Sequence, residues 1–213
     1  MSMNDSTLPA PYADASTNFI YNLLFCDELS LFAPAAGEAP APWLQTLQAP
    51  ASGEAAVRAL AEEEDGESRV RVLAYNWLRQ HEHSVPPRKL LGVIVEVQLE
   101  RGLDTLAAYL DGRARYINQG GKLAVFEAAP AVVTAKISEL FAAAQVAVDR
   151  IGPWDKARLA PPEQGSIRLT FLVSDGLYFG QGPFAVLSRD AMAGPIIQQA
   201  GELLQMVVGL VVK

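Results

Sequence analysis

Side-chain catalysis needs a nucleophile, a base or a cluster of metal ligands, and this chain is poor in all three. Its two histidines, His81 and His83, sit in the run Gln80-His81-Glu82-His83. On a helix, residues two apart point about 200° away from each other, so these imidazoles could share a metal only where the helix has frayed. With Glu82 as the one adjacent acid, they read as a polar helix end near the negative pole of the dipole. The single cysteine, Cys26, shares an apolar stripe with Phe19, Leu23 and Leu29, where a thiol packs as a small hydrophobe. A nucleophilic role would require His81 to approach it from another helix. One cysteine also rules out a disulfide within the chain and a thiolate zinc site, so neither a metal nor a cofactor is expected.

Nucleotide and serine-hydrolase signatures are missing too: there is no Gly-x-Ser-x-Gly elbow, no Walker loop and no Gly-x-Gly-x-x-Gly after a strand. Gly180-Gln181-Gly182-Pro183 has two glycines but lacks the lysine and the helix amino terminus that make a phosphate cradle. It reads as a bulge or bend in a strand. The run Glu62-Glu63-Glu64-Asp65 is a solvated corner, because consecutive carboxylates diverge around a helix. Trp43, Trp77 and Trp154 are core or interface anchors.

The least ordinary constellation is Arg113, Arg115 and Lys122, three positive charges within ten residues of an acidic chain. On a strand, Arg113 and Arg115 share a face about 6.6 to 7 Å apart, within reach of one carboxylate or phosphate. These three residues are the candidate ligand-binding set, for a small anionic ligand. The plainer reading pairs the arginines with acids on neighbouring strands, Glu96, Asp104 or Asp111, to keep an exposed face soluble.

The elements that position these residues follow from period and punctuation. Residues 1–17 are rich in proline, alanine and small polar groups and are expected to be flexible. Asn18 to Phe32 reads as a helix, and Ala33 to Pro42, with three prolines, as a stiff connector. Short helices follow between Pro42 and Ala61. Ser68 is placed to cap a helix that buries Val70, Leu73, Ala74, Trp77 and Leu78, with His81 as a further candidate for the stripe, and that stops at Pro86-Pro87. The period then changes to two. Val93, Val95, Val97 and Leu99 share a buried face, while Ile94, Glu96, Gln98 and Glu100 face water. Turns at Arg101-Gly102, Asp111-Gly112 and Gln119-Gly120-Gly121 divide residues 89–127 into a four-stranded antiparallel meander.

An apolar helix runs from Pro130 to Ile151. A loop over 152–165, with Pro161-Pro162, is the one possible sub-boundary in a single domain spanning 18–213. A second hairpin turns at Asp175-Gly176, its returning strand broken at 180–183. The last helix, starting near Ser188 or Pro195, buries Ile197, Ala200, Leu204, Val207 and Val211. The fold class is therefore α+β: an antiparallel sheet of about six strands covered by helices in a two-layer sandwich.

Composition bounds the function. Half of the 213 residues are apolar and the net charge is −7, which supports a real core and disfavours nucleic acid and anionic membrane surfaces as partners. The first eighteen residues have no Lys or Arg and no apolar run, and no stretch offers the roughly 20 uninterrupted apolar residues of a membrane span, so a cytoplasmic location is expected. The leading expectation is a non-catalytic protein that acts by binding a protein partner or itself, as a homo-oligomer, since the run from Met206 to Val212 is hard for a monomer to cover. The alternatives are a small-molecule or anion carrier using Arg113, Arg115 and Lys122, and an enzyme with a carboxylate-based site that sequence does not display.

Overall fold

The computed structural model describes residues 8–49 and 53–211 of the chain. In order it forms α1 (Ala15–Leu23), a 3-10 turn (Leu29–Phe32), α2 (Pro42–Gln48), α3 (Gly53–Glu62) and α4 (Ser68–Gln80). Strands β1 (Leu90–Leu99), β2 (Gly102–Tyr109), β3 (Ala114–Ile117) and β4 (Leu123–Phe126) follow, then α5 (Ala131–Val148). The chain ends with β5 (Ser166–Val173), β6 (Gly176–Pro183), the single turn α6 (Phe184–Leu187) and α7 (Ala193–Val211). All neighbouring strands are antiparallel, in the order β4-β3-β2-β1-β5-β6. The expected meander forms, and β5 pairs with β1 so that the second hairpin extends the same sheet.

Alternation along the strands feeds two cores, one on each face. Val93, Val95, Leu106, Ile167 and Leu169 point towards α5 and α7. Leu91, Ile94, Leu103, Ala107 and Tyr109 point the other way, towards Tyr21, Leu73 and Leu78 of the amino-terminal helices. The helix-covered sheet therefore carries helices in two layers, one per face. This overturns the expected wet face: Ile94 and Glu96 are fully buried, because α1 and α4 lie over the side that alternation alone assigned to water.

Local signals explain most boundaries. Gly112 has φ +84°, and its N–H donates to Tyr109 O at 3.0 Å. The turn there spans 110–112, and Asp111 also receives the Ser68 N–H at 2.7 Å while its own N–H reaches Ser68 Oγ at 3.0 Å. The cap of α4 is thus supplied from the hairpin, with Ser68 as the first helical residue. β6 runs unbroken through Gly180-Gln181-Gly182 in register with Leu169, Arg168 and Ile167, where a break was expected. An edge strand can tolerate glycines and a terminal proline because one side of its ladder is open. Pro195 falls in the first turn of α7, where its missing N–H costs nothing, and Asp190 Oδ1 caps the Met192 and Ala193 amides at 2.8 Å. The buried stripe of α7 is centred on Ile196, Ala200, Leu203 and Val207, with Ile197 and Leu204 at its margin.

Residues 8–14 run along α1: Asn18 exchanges two bonds with the backbone of Tyr12, and Asn22 Nδ2 donates to Pro9 O at 2.9 Å. Residues 1–7, the start of the segment expected to be flexible, and Val212, the end of the apolar run, lie outside the described residues. Among the described residues α5 is the one helix long and apolar enough to cross a membrane. It lies on the sheet, with Val133, Ile137, Leu140, Phe141 and Ala144 buried.

Candidate functional site

The candidate arginines divide. Arg113 and Arg115 converge on Glu127: Arg113 Nε donates to Glu127 Oε2 at 3.0 Å and Arg115 Nη2 to Oε1, while Arg113 Nη1 also reaches Asp111 Oδ2 at 2.7 Å. Arg115 is buried, with its guanidinium 5.9 Å from the Tyr109 ring centroid, and its Nη1 has no partner. Arg69 of α4, paired with Glu67, adds a third cation whose charge reaches Cys26 and Tyr109. The group is balanced, three arginines against Glu67, Asp111 and Glu127. Glu127, 55% exposed, is held below the usual carboxylate range by Arg115, Arg69 and Arg113 against the opposing effect of burial. Lys122 is not part of it. It is exposed and pairs through its backbone with Asn118, at the opposite end of β3 from Arg113 and about 17 Å along the strand.

Cys26 is fully buried beneath this group, with φ +52°, and burial pushes its thiol up to about 12. It is a packed thiol with no access to a substrate. Helix α4 ends before the histidines, and both rings fold onto Trp77, His81 at 3.8 Å and His83 at 6.0 Å between centroids. His83 Nδ1 also lies 3.3 Å from Glu54 Oε2. No group of three or more His, Cys, Asp or Glu residues is placed to hold a metal among the described residues.

A large concave feature lies elsewhere, at the turn end of the β5–β6 hairpin. It is a cleft of about 1000 Å³ between the 8–11 segment and the loop from Pro153 to Pro161, with the turn 175–177 at its base. The loop that the sequence marks as a possible sub-boundary is the cleft's wall, and the sheet pins it there. From below, Arg168 of β5, 3% exposed, donates to Leu159 O at 3.2 Å, to Ala160 O and to Gln181 Oε1 at 2.8 Å. From above, Trp154 N–H donates to Leu177 O at 2.7 Å, and its ring meets Phe179 edge-on at 5.0 Å. Gly176, at φ +155°, permits this approach: a Cβ there would stand 2.9 Å from Pro153 Cβ.

Arg158 turns inward from the same loop. Its guanidinium lies 3.8 Å from the centroid of the Phe25 ring, donates from Nε to Asp27 Oδ2 at 2.9 Å and from Nη2 to Asn22 Oδ1 at 2.6 Å, and leaves Nη1 without a partner among the described residues. On the opposite side Asp175 accepts from Tyr178 at 3.1 Å through Oδ2, while its Oδ1 is buried and unpartnered. Arg79 and Lys156 add positive charge to the rim, Glu28 and Asp155 negative charge, and Trp154 with Pro9 and Pro11 supplies apolar wall. Neither His81, His83 nor Cys26 lines the cleft.

Behind it, under α1, lies a buried polar network. Tyr21 donates to Glu96 Oε1 at 2.6 Å, Arg168 Nη1 lies 3.6 Å from Glu96 Oε2, and the Tyr12 and Thr105 hydroxyls are bonded at 2.9 Å. Burial raises the Glu96 carboxyl, against the lowering effects of the Tyr21 bond and the Arg168 charge. The network ties the loop, through Arg168, to the centre of the sheet. Neither Glu96 as a buried group nor Arg158 as a cleft residue has a signal in sequence: one sits at an alternating strand position, the other in a stretch with no period.

The molecule is thus a mixed α+β protein whose antiparallel sheet, helix-covered on both faces, positions one large cleft at its hairpin end. No protein-family model matches the chain, and no curated protein or solved structure matches it either.

Proposed function

We propose that the protein works without catalysis, as a binding protein whose cleft receives an extended segment of a protein partner. The observation that carries this reading is the cleft itself, about 1000 Å³, which sets Arg79 and Lys156 against Glu28 and Asp155 around an apolar wall of Trp154, Pro9 and Pro11. A polypeptide segment offers donors, acceptors and apolar side chains at successive steps, and so matches a rim of both signs and an apolar wall together. The cleft's volume and its mixed rim charge fit a peptide better than a single small anion. The cytoplasm is the proposed location, supported by the free, buried Cys26. The net charge of −7 argues against nucleic acid or a membrane surface as the partner.

The test is selection from a displayed random peptide library, followed by titration of the winners. Lys156→Glu and Ala157→Trp, both at exposed cleft positions, are expected to weaken the selected peptides at least tenfold. Failure to enrich any peptide, or winners indifferent to both variants, overturns the proposal.

Self-association is a second reading, favoured by β4. This four-residue edge strand leaves Leu123 and Val125 40% and 44% exposed beside an unpaired ladder. Sedimentation over a rising concentration series should reveal a dimer that Val125→Lys dissolves; a monomer throughout contradicts it.

A further inference from the structure

A second concavity, independent of the cleft, lies on the opposite face of the sheet, under α7. It is a partly open pocket of about 240 Å³ between β1, β2, β3, β5 and the middle of the helix. Its walls are apolar: Val95, Leu106 and Ile167 from the sheet, Ile197 and Leu204 from the helix, Phe184 at the mouth. α7 presents the small residues Ala200 and Gly201 to it, with Gly201 at an exposed position of the mouth where a Cβ meets nothing within 4 Å.

One charged group lines it among the described residues. Asp104 stands directly opposite Val97 in the β1–β2 register, on the face otherwise given to the α5–α7 core. Packing would place a hydrophobe at that position. Its carboxylate receives the Tyr116 hydroxyl on Oδ2 at 3.0 Å and the Gln119 N–H on Oδ1 at 2.6 Å, and no cation among the described residues bonds to it. A carboxylate has about four acceptor sites, so capacity remains on both oxygens, while the Tyr116 donor is already engaged.

An apolar pocket of this size, open on one side, admits a ring or a short branched chain. The polar requirement is specific: the guest must bring a donor, best a positive one, because a second anion beside Asp104 would be repelled and a neutral hydrocarbon makes no bond to the carboxylate. We propose that this pocket binds a small amphipathic amine, with its apolar body under Gly201 and its ammonium on Asp104.

Three probes of one shape separate the contributions: 2-phenylethylammonium, neutral ethylbenzene and 3-phenylpropionate, each titrated into the wild-type protein by calorimetry. The ammonium should bind saturably and at least tenfold more tightly than either of the others. Asp104→Asn, which keeps the acceptor for Gln119, should reduce ammonium binding about tenfold and leave ethylbenzene within about twofold. Gly201→Leu, which fills the open space, should abolish binding of all three while the circular dichroism spectrum is retained.

Should either variant fail to fold, methyl chemical shifts of the unmodified protein decide. Perturbations at Leu106, Ile167 and Leu204 support the pocket, and perturbations confined to the 153–161 loop overturn it. Absence of saturable binding, a preference for the carboxylate, or equal affinity for ammonium and ethylbenzene also overturns it. None of these outcomes bears on the peptide cleft.

Discussion

Replacing Arg168 by methionine keeps a long side chain on β5 and removes a charge that is 3% exposed. The guanidinium neutralises Glu96 at 3.6 Å and holds the Leu159 and Ala160 carbonyls of the cleft wall. Breaking a buried pair by removing one partner costs about 3–5 kcal/mol, a large share of the roughly 5–15 kcal/mol that stabilises a domain. The deficit must depend on pH. Burial already raises the Glu96 carboxyl above its ordinary value, and without Arg168 it rises further.

A carboxyl raised in the folded state contributes stability below its unfolded pKa and loses it as the pH climbs through the folded value. Arg168→Met should therefore be weakest near neutrality and recover part of its loss on acidification to about pH 5. Adding Glu96→Gln removes the stranded charge while keeping an acceptor for Tyr21, so the double variant should be more stable than the sum of the single changes implies, by about 1–3 kcal/mol. Urea denaturation of the four proteins at both pH values measures this. Additive losses, coupled by less than about 0.5 kcal/mol and flat with pH, would refute the network as described.

Cys26, buried and with its thiol raised to about 12, should resist thiol reagents in the native protein and react only at the rate of unfolding; rapid native labelling would contradict its placement. Asp111→Ala removes the acceptor for the Ser68 amide and one partner of Arg113, and should cost about 1–2 kcal/mol in thermal unfolding. Leu140→Ala, at a fully buried position of α5, should cost about 2–5 kcal/mol, with the loss tracking the size of the cavity left behind.

What the sequence discloses here is local. The four-strand meander is legible because period-two alternation and the Asp111-Gly112 turn act over a few residues, and the same physics marks the Asp175-Gly176 hairpin. Alternation states which residues share a face but not what covers it. Alternation places Glu96 towards water because nothing near it signals that α1, some 75 residues away, packs over it. The Arg113–Arg115 pair is visible as two residues apart on one strand, whereas Arg69 and Glu127 join them through tertiary contacts, and Lys122 is near in sequence yet remote along the extended strand. Arg158 escapes notice for a different reason: its loop has no period, and its role comes from Phe25, Asn22 and Asp27 on the far side of the chain. Asp104, weighed as a partner for the arginines, lies on the opposite face from Arg115.

Hydrogen exchange of the wild-type protein, with and without a selected peptide, tests the peptide cleft most directly. Bound peptide should slow exchange at the amides of Leu8, Ala10, residues 154–160 and residues 175–177 and leave β4 and α7 unchanged. Protection that falls on β4 or α7 while the 154–160 loop exchanges as before would place the working surface elsewhere and contradict the account.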